Sequence, residues 1–428
     1  MAPNNTPSAP PIDRNSVVPD DKPVVINNTG NDKEPPAERG HLPSIKQFRV
    51  LAVVFYALFL DYFIYGLIVP LTPYSTAGAM GEHLLALLYA SYAFGVLAAT
   101  PLFGYLGERL GYRKPMIAGA LLSGAAVLLF WFAPSFALLL LARLFQGAAS
   151  AATWTTGLAL VAEHYVENRV RMMSYALVGS TAGSIVGPTL GGALYNLAGY
   201  NLPFTITALL VLIDLGMRTF LLSAERTNAQ VSPDLWSLLL DKSILVPALA
   251  VALAAFGWGI VEPLLPFYLE RDGASASQIG VLFTIASIAY GLCAPLVAWT
   301  AERFPIRWVI VGGVIGMGST LPLLSQLAGV LPVGFGLCIL SVAFAFTLNP
   351  TSAELGNAVD RRGLACYGVV YAVYNIAYSV GMIATNTLAT TAMVWMSLPQ
   401  ILTSAGAALL VCVPLLLLKD RRTEVAST

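Results

Sequence analysis

Charge is what this sequence has least of. Only 11% of its 428 residues are Asp, Glu, Lys or Arg, against roughly a quarter in an ordinary soluble domain. Its 23 basic and 23 acidic residues cancel, which removes the electrostatic footprint that a nucleic-acid binder needs. Histidine is scarce too: His41, His83 and His164 fall in a polar tail or near the ends of apolar stretches, so an imidazole relay is not expected. The four cysteines, Cys293, Cys338, Cys366 and Cys412, lie in or at the edges of apolar stretches without metal-ligand spacing, which argues against a disulfide framework or a metal site. No nucleophile-base constellation marks a catalytic centre, and no cofactor motif is present. A receptor or signalling scaffold would call for a substantial soluble domain, and the sequence offers none.

Hydrophobicity is what the chain does have, at 57% of residues. From Arg49 to Leu418 apolar stretches of about 20 residues follow one another, each long enough to cross a hydrocarbon core as a helix. Period-two alternation is absent, so a barrel is excluded. Twelve spans are expected, at 49–71, 84–105, 114–133, 135–161, 172–196, 202–223, 243–269, 277–300, 307–328, 331–355, 366–389 and 395–418. The fold class is therefore all-α and integral to the membrane. Lys and Arg should gather in cytoplasmic loops. With the N-terminus inside, all of them do so, Arg218 included, except Arg271 outside and Arg143 within a span. Both termini are then cytoplasmic, in a cell membrane of the plasma or bacterial inner type.

The spans divide into two sets of six. Gly66 to Tyr74 resembles Gly259 to Phe267, 193 residues later, with coincident prolines at Pro70 and Pro263. Gly104 to Lys114 aligns with Ala298 to Trp308, 194 residues later. The organisation expected is a disordered tail at 1–44, a six-helix bundle at 45–223, a central cytoplasmic loop at 224–242, a second bundle at 243–418 and a short tail at 419–428. Such parallel repeats suit transporters that rock two bundles about a central site.

Gly104-Tyr105-Leu106-Gly107-Glu108-Arg109-Leu110-Gly111-Tyr112-Arg113-Lys114 resembles the loop signature of the major facilitator superfamily. In it a tight glycine turn sets an acid and basic groups at helix ends, where they can pair across an interface in one conformation and part in another. Gly104, Glu108, Arg109, Gly111 and Arg113, with Glu302 and Arg303 in the second copy, are thus candidates for a conformational gate. The stretch Gly183 to Gly192 resembles the antiporter signature of that superfamily's drug-proton exporters and adds Gly183, Gly187, Pro188 and Gly191. Small residues one turn apart let helices approach closely, and the proline can bend the span.

Residues 55–390 are similar to the vesicular amine transporter branch, through Leu60-Asp61, Pro203-Phe204 to Ile213-Asp214, Val261 to Pro266, and Val359-Asp360 with Tyr367 to Ala372. The resemblance implies coupling acids at Asp61 and Glu262. The branch's acid in span 11 corresponds to Asn375, and that in span 10 falls near Leu348 and Asn349. Two carboxylates of the branch are thus missing, so the resemblance by itself does not establish its amine specificity or proton stoichiometry here.

An ionised side chain at mid-bilayer costs at least about 2.5 kcal/mol, so each one should be paired, protonated or functional. Asp61 lies twelve residues beyond Arg49, about 18 Å along a helix. Glu262 precedes Pro263, where an opened backbone could form a site; proton or cationic-substrate binding competes there with an external vestibule. Arg143 could pair with an acid or with carbonyls, or act as a structural clamp. Asp214, Glu163 and Glu354 approach cytoplasmic span ends, where solvated or gate-pairing roles suffice. In span 11, Tyr367, Tyr371, Tyr374 and Tyr378 share a helical face with Asn375 alongside. With Trp258 and Asn349 they could line a cavity for aromatic or cationic substrates, or serve only packing.

The expectation is a monomeric proton-coupled antiporter exporting a small organic molecule, drug or secondary metabolite. An uptake symporter on the same fold is the alternative, and a non-transporting receptor a more distant one.

Overall fold

The computed structural model describes residues 45–74, 82–165, 169–223, 242–360 and 367–417. The two tails and the central loop expected from the sequence lie outside them, as does Cys366. Among the described residues there are helices and no strands, as a chain needs where lipid cannot satisfy its backbone. The chain is a multi-pass membrane protein.

In the first half α1 is Ile45–Leu71, α2 Glu82–Leu110, α3 Arg113–Phe132, α4 Phe136–His164, α5 Arg169–Ala198 and α6 Asn201–Phe220. In the second half α7 runs over Lys242–Gly259 and resumes at Val261–Arg271, and α8 over Ala276–Leu292 and then Ala294–Arg303. They are followed by α9 (Ile306–Leu324), α10 (Val330–Asp360), α11 (Tyr367–Ala392) and α12 (Leu398–Leu416). A helix thus occupies every expected span. Ten of the spans are long and apolar enough to cross a membrane by length and composition. The two outside that group, α5 and α11, are rich in Gly, Ser, Thr and Tyr because they spend their length against other helices.

The packing repeats with an offset of six helices. In the first half α1 lies on α5, α2 on α4, α3 on α4, and α3 on α6; in the second α7 lies on α11, α8 on α10, α9 on α10, and α9 on α12. The halves meet along two seams, α2 with α11 and α5 with α8. On the second seam Thr284 donates to the Ile185 carbonyl (2.7 Å) and Thr189 to Thr284 (2.6 Å). Near the end of α1, Tyr74 donates across to the Ala274 carbonyl (3.3 Å).

Three breaks are built in. Pro263 has no N–H for the Gly259 carbonyl, and α7 interrupts at Ile260. Pro295 leaves the Gly291 carbonyl in the same condition, and α8 interrupts at Cys293. The third is a π-helical turn over Thr153–Gly157 in α4. There the hydroxyls of Thr155 and Thr156 donate to the carbonyls of Ala151 (2.5 Å) and Ala152 (2.6 Å), which the wider turn has displaced. Nothing in the sequence reading called for the breaks at Cys293 and Thr153, since a proline two residues on and a Thr-rich run are both compatible with unbroken helix.

The antiporter-like glycines set the distance between α1 and α5. A Cβ on Gly187 would stand 2.6 Å from the Phe63 carbonyl oxygen, and one on Gly191 equally close to that of Leu67. Gly183 meets the backbone at Phe59 in the same way. Pro188 packs against Gly66 of α1, and its carbonyl faces Gly280 of α8, so it sits where the three helices join. Gly187→Val should therefore force α1 and α5 apart and cost about 2 kcal/mol or more, whereas Gly104→Ala, whose Cβ meets nothing within 4 Å, should change little. Thermal melting of the detergent-solubilised variants, followed by size-exclusion chromatography, checks the contrast.

Candidate functional site

Asp61 lies on the inner face of α1 and is 6% exposed. Its Oδ2 accepts from Ser150 Oγ (2.7 Å) and Trp154 Nε1 (3.1 Å), both on α4. Ser150 precedes the π turn and Trp154 is within it, so the extra residue of that turn helps to aim the indole. Tyr92 of α2 donates to Ser150 Oγ (3.1 Å), which extends the chain of hydroxyls away from the acid.

Glu262 follows the α7 break and is 7% exposed. Oε1 accepts from Trp258 Nε1 (2.7 Å), one turn earlier, while Oε2 accepts from the Tyr65 hydroxyl. Tyr65 is on α1, one turn beyond Asp61. The acid of the second half is therefore held by a residue of the first. In this conformation Glu262 is buried and does not face an open vestibule. The Tyr65 ring also packs on Tyr92 (4.9 Å between centroids), so side chains in contact connect Asp61 to Glu262 through Ser150, Tyr92 and Tyr65.

Arg143 is fully buried on α4, two turns before Ser150. Nη1 donates to Gln146 Oε1 (3.0 Å), and the guanidinium carbon lies 4.4 Å from the Tyr89 centroid, 5.4 Å from Tyr65 and 5.6 Å from Phe130. The acid or carbonyl partner expected for it is replaced by an amide and aromatic faces, which suit a planar, weakly hydrated cation.

The second half supplies an aromatic wall. Trp258 stacks on Phe344 (5.2 Å), Phe344 meets Tyr290 (5.6 Å), and Tyr290 donates to Asn349 Oδ1 (2.5 Å). Tyr374 and Tyr378 stack at 6.2 Å, and Tyr378 packs with Tyr65 and Tyr89 across the seam. Asn375 is buried with no partner for Nδ2 among the described residues. The Tyr367, Tyr371 and Glu108 side chains lie outside those residues. Asp61, Glu262, Arg143, Trp258 and Tyr378 thus converge.

The signature loop stands here with its described basic groups parted from the opposite half. Gly111 takes φ +76°, the turn that only glycine adopts easily. Among the described residues, its basic neighbours make these contacts within their own half. Arg109 covers the Tyr105 ring (4.7 Å), Arg113 donates to the Thr219 carbonyl at the end of α6 (2.6 Å), and Arg303 covers Trp299 (4.2 Å) beside exposed Glu302. A free carbonyl at a helix C-terminus is the nearest strong acceptor for Arg113. Arg218 and Asp214 also need correction. Neither is solvated or at a gate: both are buried and paired at 2.8 Å on α6, because the turn that carries them faces α3 and α4.

Ser150, Trp154, Tyr65 and Tyr92 were not singled out from the sequence. A signal exists for three of them. Arg143, Gln146, Ser150 and Trp154 step by three, four and four along one face of α4, and Tyr65 is four residues beyond Asp61.

Two stretches, residues 54–246 and 247–428, match the model of the Major Facilitator Superfamily. The chain belongs to that superfamily. Within it the chain is 34% identical over 308 residues to the synaptic vesicular amine transporter of Rattus norvegicus, an alignment covering 69% of this chain and 59% of the relative. It is 32% identical over 359 residues to a probable vesicular acetylcholine transporter of Danio rerio, covering 79% and 72%. The vesicular acetylcholine transporter of Drosophila melanogaster is 29% identical over 313 residues, covering 69% and 54%. The chain therefore spans under two thirds of the length of the first of these. The branch resemblance read from the sequence is borne out.

If the Tyr65 bond joins the halves, Tyr65→Phe and Glu262→Gln should each lower thermal stability by about 1–3 kcal/mol. The double variant should then fall short of the sum by about 1 kcal/mol in a melting-based cycle. Strict additivity would mean that the two side chains are not coupled.

Proposed function

We propose that this superfamily member is a proton-coupled antiporter that exports a small organic molecule by alternating access between its two six-helix halves. The single observation that carries this reading is the placement of two buried acids, Asp61 and Glu262, on facing halves, with Glu262 tied across the seam by Tyr65. An ionised Glu262 accepts from both Tyr65 and Trp258; a protonated one has less to offer both donors. Proton arrival then loosens a bond between the halves, and proton departure restores it. Such a difference between conformations is what lets a ligand shift a population. Asp61 binds a proton within the first half, where Ser150 and Trp154 stabilise its ionised form. The substrate lies against Trp258, Tyr290, Tyr374 and Tyr378, with Asn349 and Asn375 as amide contacts, and organic amines are the first class to test because the relatives' names specify amines and acetylcholine.

The gate is formed at the α2 and α8 cytoplasmic ends and along α5, both termini are cytoplasmic, and the protein acts as a monomer in a cell membrane. Because the coupling resides in carboxylates, it needs no metal or cofactor.

The test is transport into proteoliposomes under an imposed pH gradient, screened with radiolabelled organic amines. Asp61→Asn should reduce gradient-driven accumulation at least tenfold while leaving gradient-free exchange measurable. Wild-type accumulation in that variant would overturn the assignment of Asp61. Accumulation driven in the direction of the proton flow would favour the uptake symporter instead.

A further inference from the structure

The buried pair on α6 takes no part in the steps above. Its surroundings connect it to them. Asp214 and Arg218 are one turn apart and almost wholly excluded from solvent, at 0% and 2% exposure. The carboxylate does not reach α4; the guanidinium does. Arg218 Nη1 donates to the Met116 carbonyl of α3 (2.8 Å), and both Nη1 and Nη2 donate to Thr153 Oγ1 (3.2 Å each). Gly119 of α3 lets α4 come this close, since a Cβ there would lie 2.8 Å from that of Ala152. Thr153 opens the π turn, and its neighbour Trp154 is the residue that donates to Asp61. The same five-residue turn thus holds an arginine on one side and the proton-binding carboxylate on the other. π turns commonly appear where a helix must aim side chains for function.

Resting on the reading of Asp61 as a proton site, we propose that Arg218, anchored by Asp214 and seated on Thr153, is a positioning residue that sets the proton affinity of Asp61 through the π turn of α4. Two effects act together. The cationic end of the pair is the end bonded to α4, at the turn that carries Trp154 and lies just beyond Ser150, so its charge acts beside the carboxylate's own hydrogen bonds. The hydrogen bonds to Thr153 also fix the turn from which Trp154 reaches the carboxylate. The other groups around Asp61 are accounted for. Ser150 and Trp154 come from α4 and Tyr62 and Tyr65 from α1; Tyr92 comes from α2, and α5 presents Gly183 and Gly187 to α1. Glu262 and Arg143 stand farther along the seam, linked through Tyr65. Around the pair itself, Tyr56 of α1 lies within electrostatic range of Asp214, and Arg113 is occupied by Thr219.

The experiment is pH-dependent infrared difference spectroscopy of the full chain in lipid nanodiscs, which needs no substrate. The protonated-carboxyl band that disappears in Asp61→Asn reports Asp61. Removing Arg218 alone would leave a buried, unpaired acid, so the charge-neutral double variant Asp214→Asn/Arg218→Gln is used. Its Asp61 band should titrate about half a pH unit higher than in wild type. Arg218→Lys, which keeps the charge, should remain close to wild type. Thr153→Val, which keeps the volume but removes the hydroxyl, should shift the band in the same direction by less, and it serves if the double variant does not fold. Wild-type midpoints in both the double variant and Thr153→Val would overturn the proposal while leaving the Asp61 assignment intact. Absence of any band that depends on Asp61 would instead overturn the assignment on which it rests.

Discussion

A carboxylate that leaves water must recover its hydrogen bonds from the protein, and the interior of this molecule is organised by that requirement. Asp61 finds two donors on α4, and Glu262 finds one on its own helix and one on the opposite half. Asp214 finds its counter-charge one turn away. Each solution recruits residues that have little else in common: a serine, two indoles, a tyrosine, an arginine. Because those donors come from different helices, the acids also register the helices against one another. Moving α7 relative to α1 changes what Glu262 can accept, and moving the π turn changes what Asp61 can accept.

The two halves share a frame and divide the chemistry. Helix packing in the first six repeats in the second six, and the seams join α2 to α11 and α5 to α8, as a two-fold relation between the halves requires. The polar contents do not repeat. The first half holds Asp61, Arg143 and the Asp214–Arg218 pair; the second holds Glu262 beside a break and an aromatic wall. On the proposed reading, a symmetric scaffold of this kind would let the halves rock with little change in their own packing, and the unlike contents would give the two end states different affinities for a proton or a substrate. The glycines of α5 belong to the frame. They hold α5 close against α1, whose Asp61 faces inward with almost no solvent around it.

Much of this was legible in the residues themselves. Length and hydropathy placed ten of the spans, a helix also stands at the other two expected places, and Pro263 marked the break in α7. Gly111 announced a left-handed turn, and the isolation of Asp61, Glu262 and Arg143 in apolar sequence marked the centre. The donors were less visible. Ser150, Tyr65 and Tyr92 are ordinary residues for a membrane helix, and their importance comes from facing an acid on another span. Arg218 was misplaced because a basic residue near a span end reads as a loop residue when loops are assigned by charge, and only the rotation of α6 turns it inward.

Composition, apolar runs without period-two alternation and the internal repeat together pointed to a chain that spans a membrane as paired bundles of helices, because lipid leaves the backbone only helices or closed barrels. Single charged residues in apolar stretches pointed to the candidate site, because their transfer cost demands a partner or a function. Which partner was decided only by the tertiary structure. Hydrogen bonds to Asp61 and Glu262 depend on helix rotation and on the extra residue of a π turn. These are differences of a few ångströms and about 100° per residue that hydropathy does not encode. So too for the bond between Tyr65 and Glu262: two residues nearly two hundred positions apart meet because the repeated bundles close on each other along their seams.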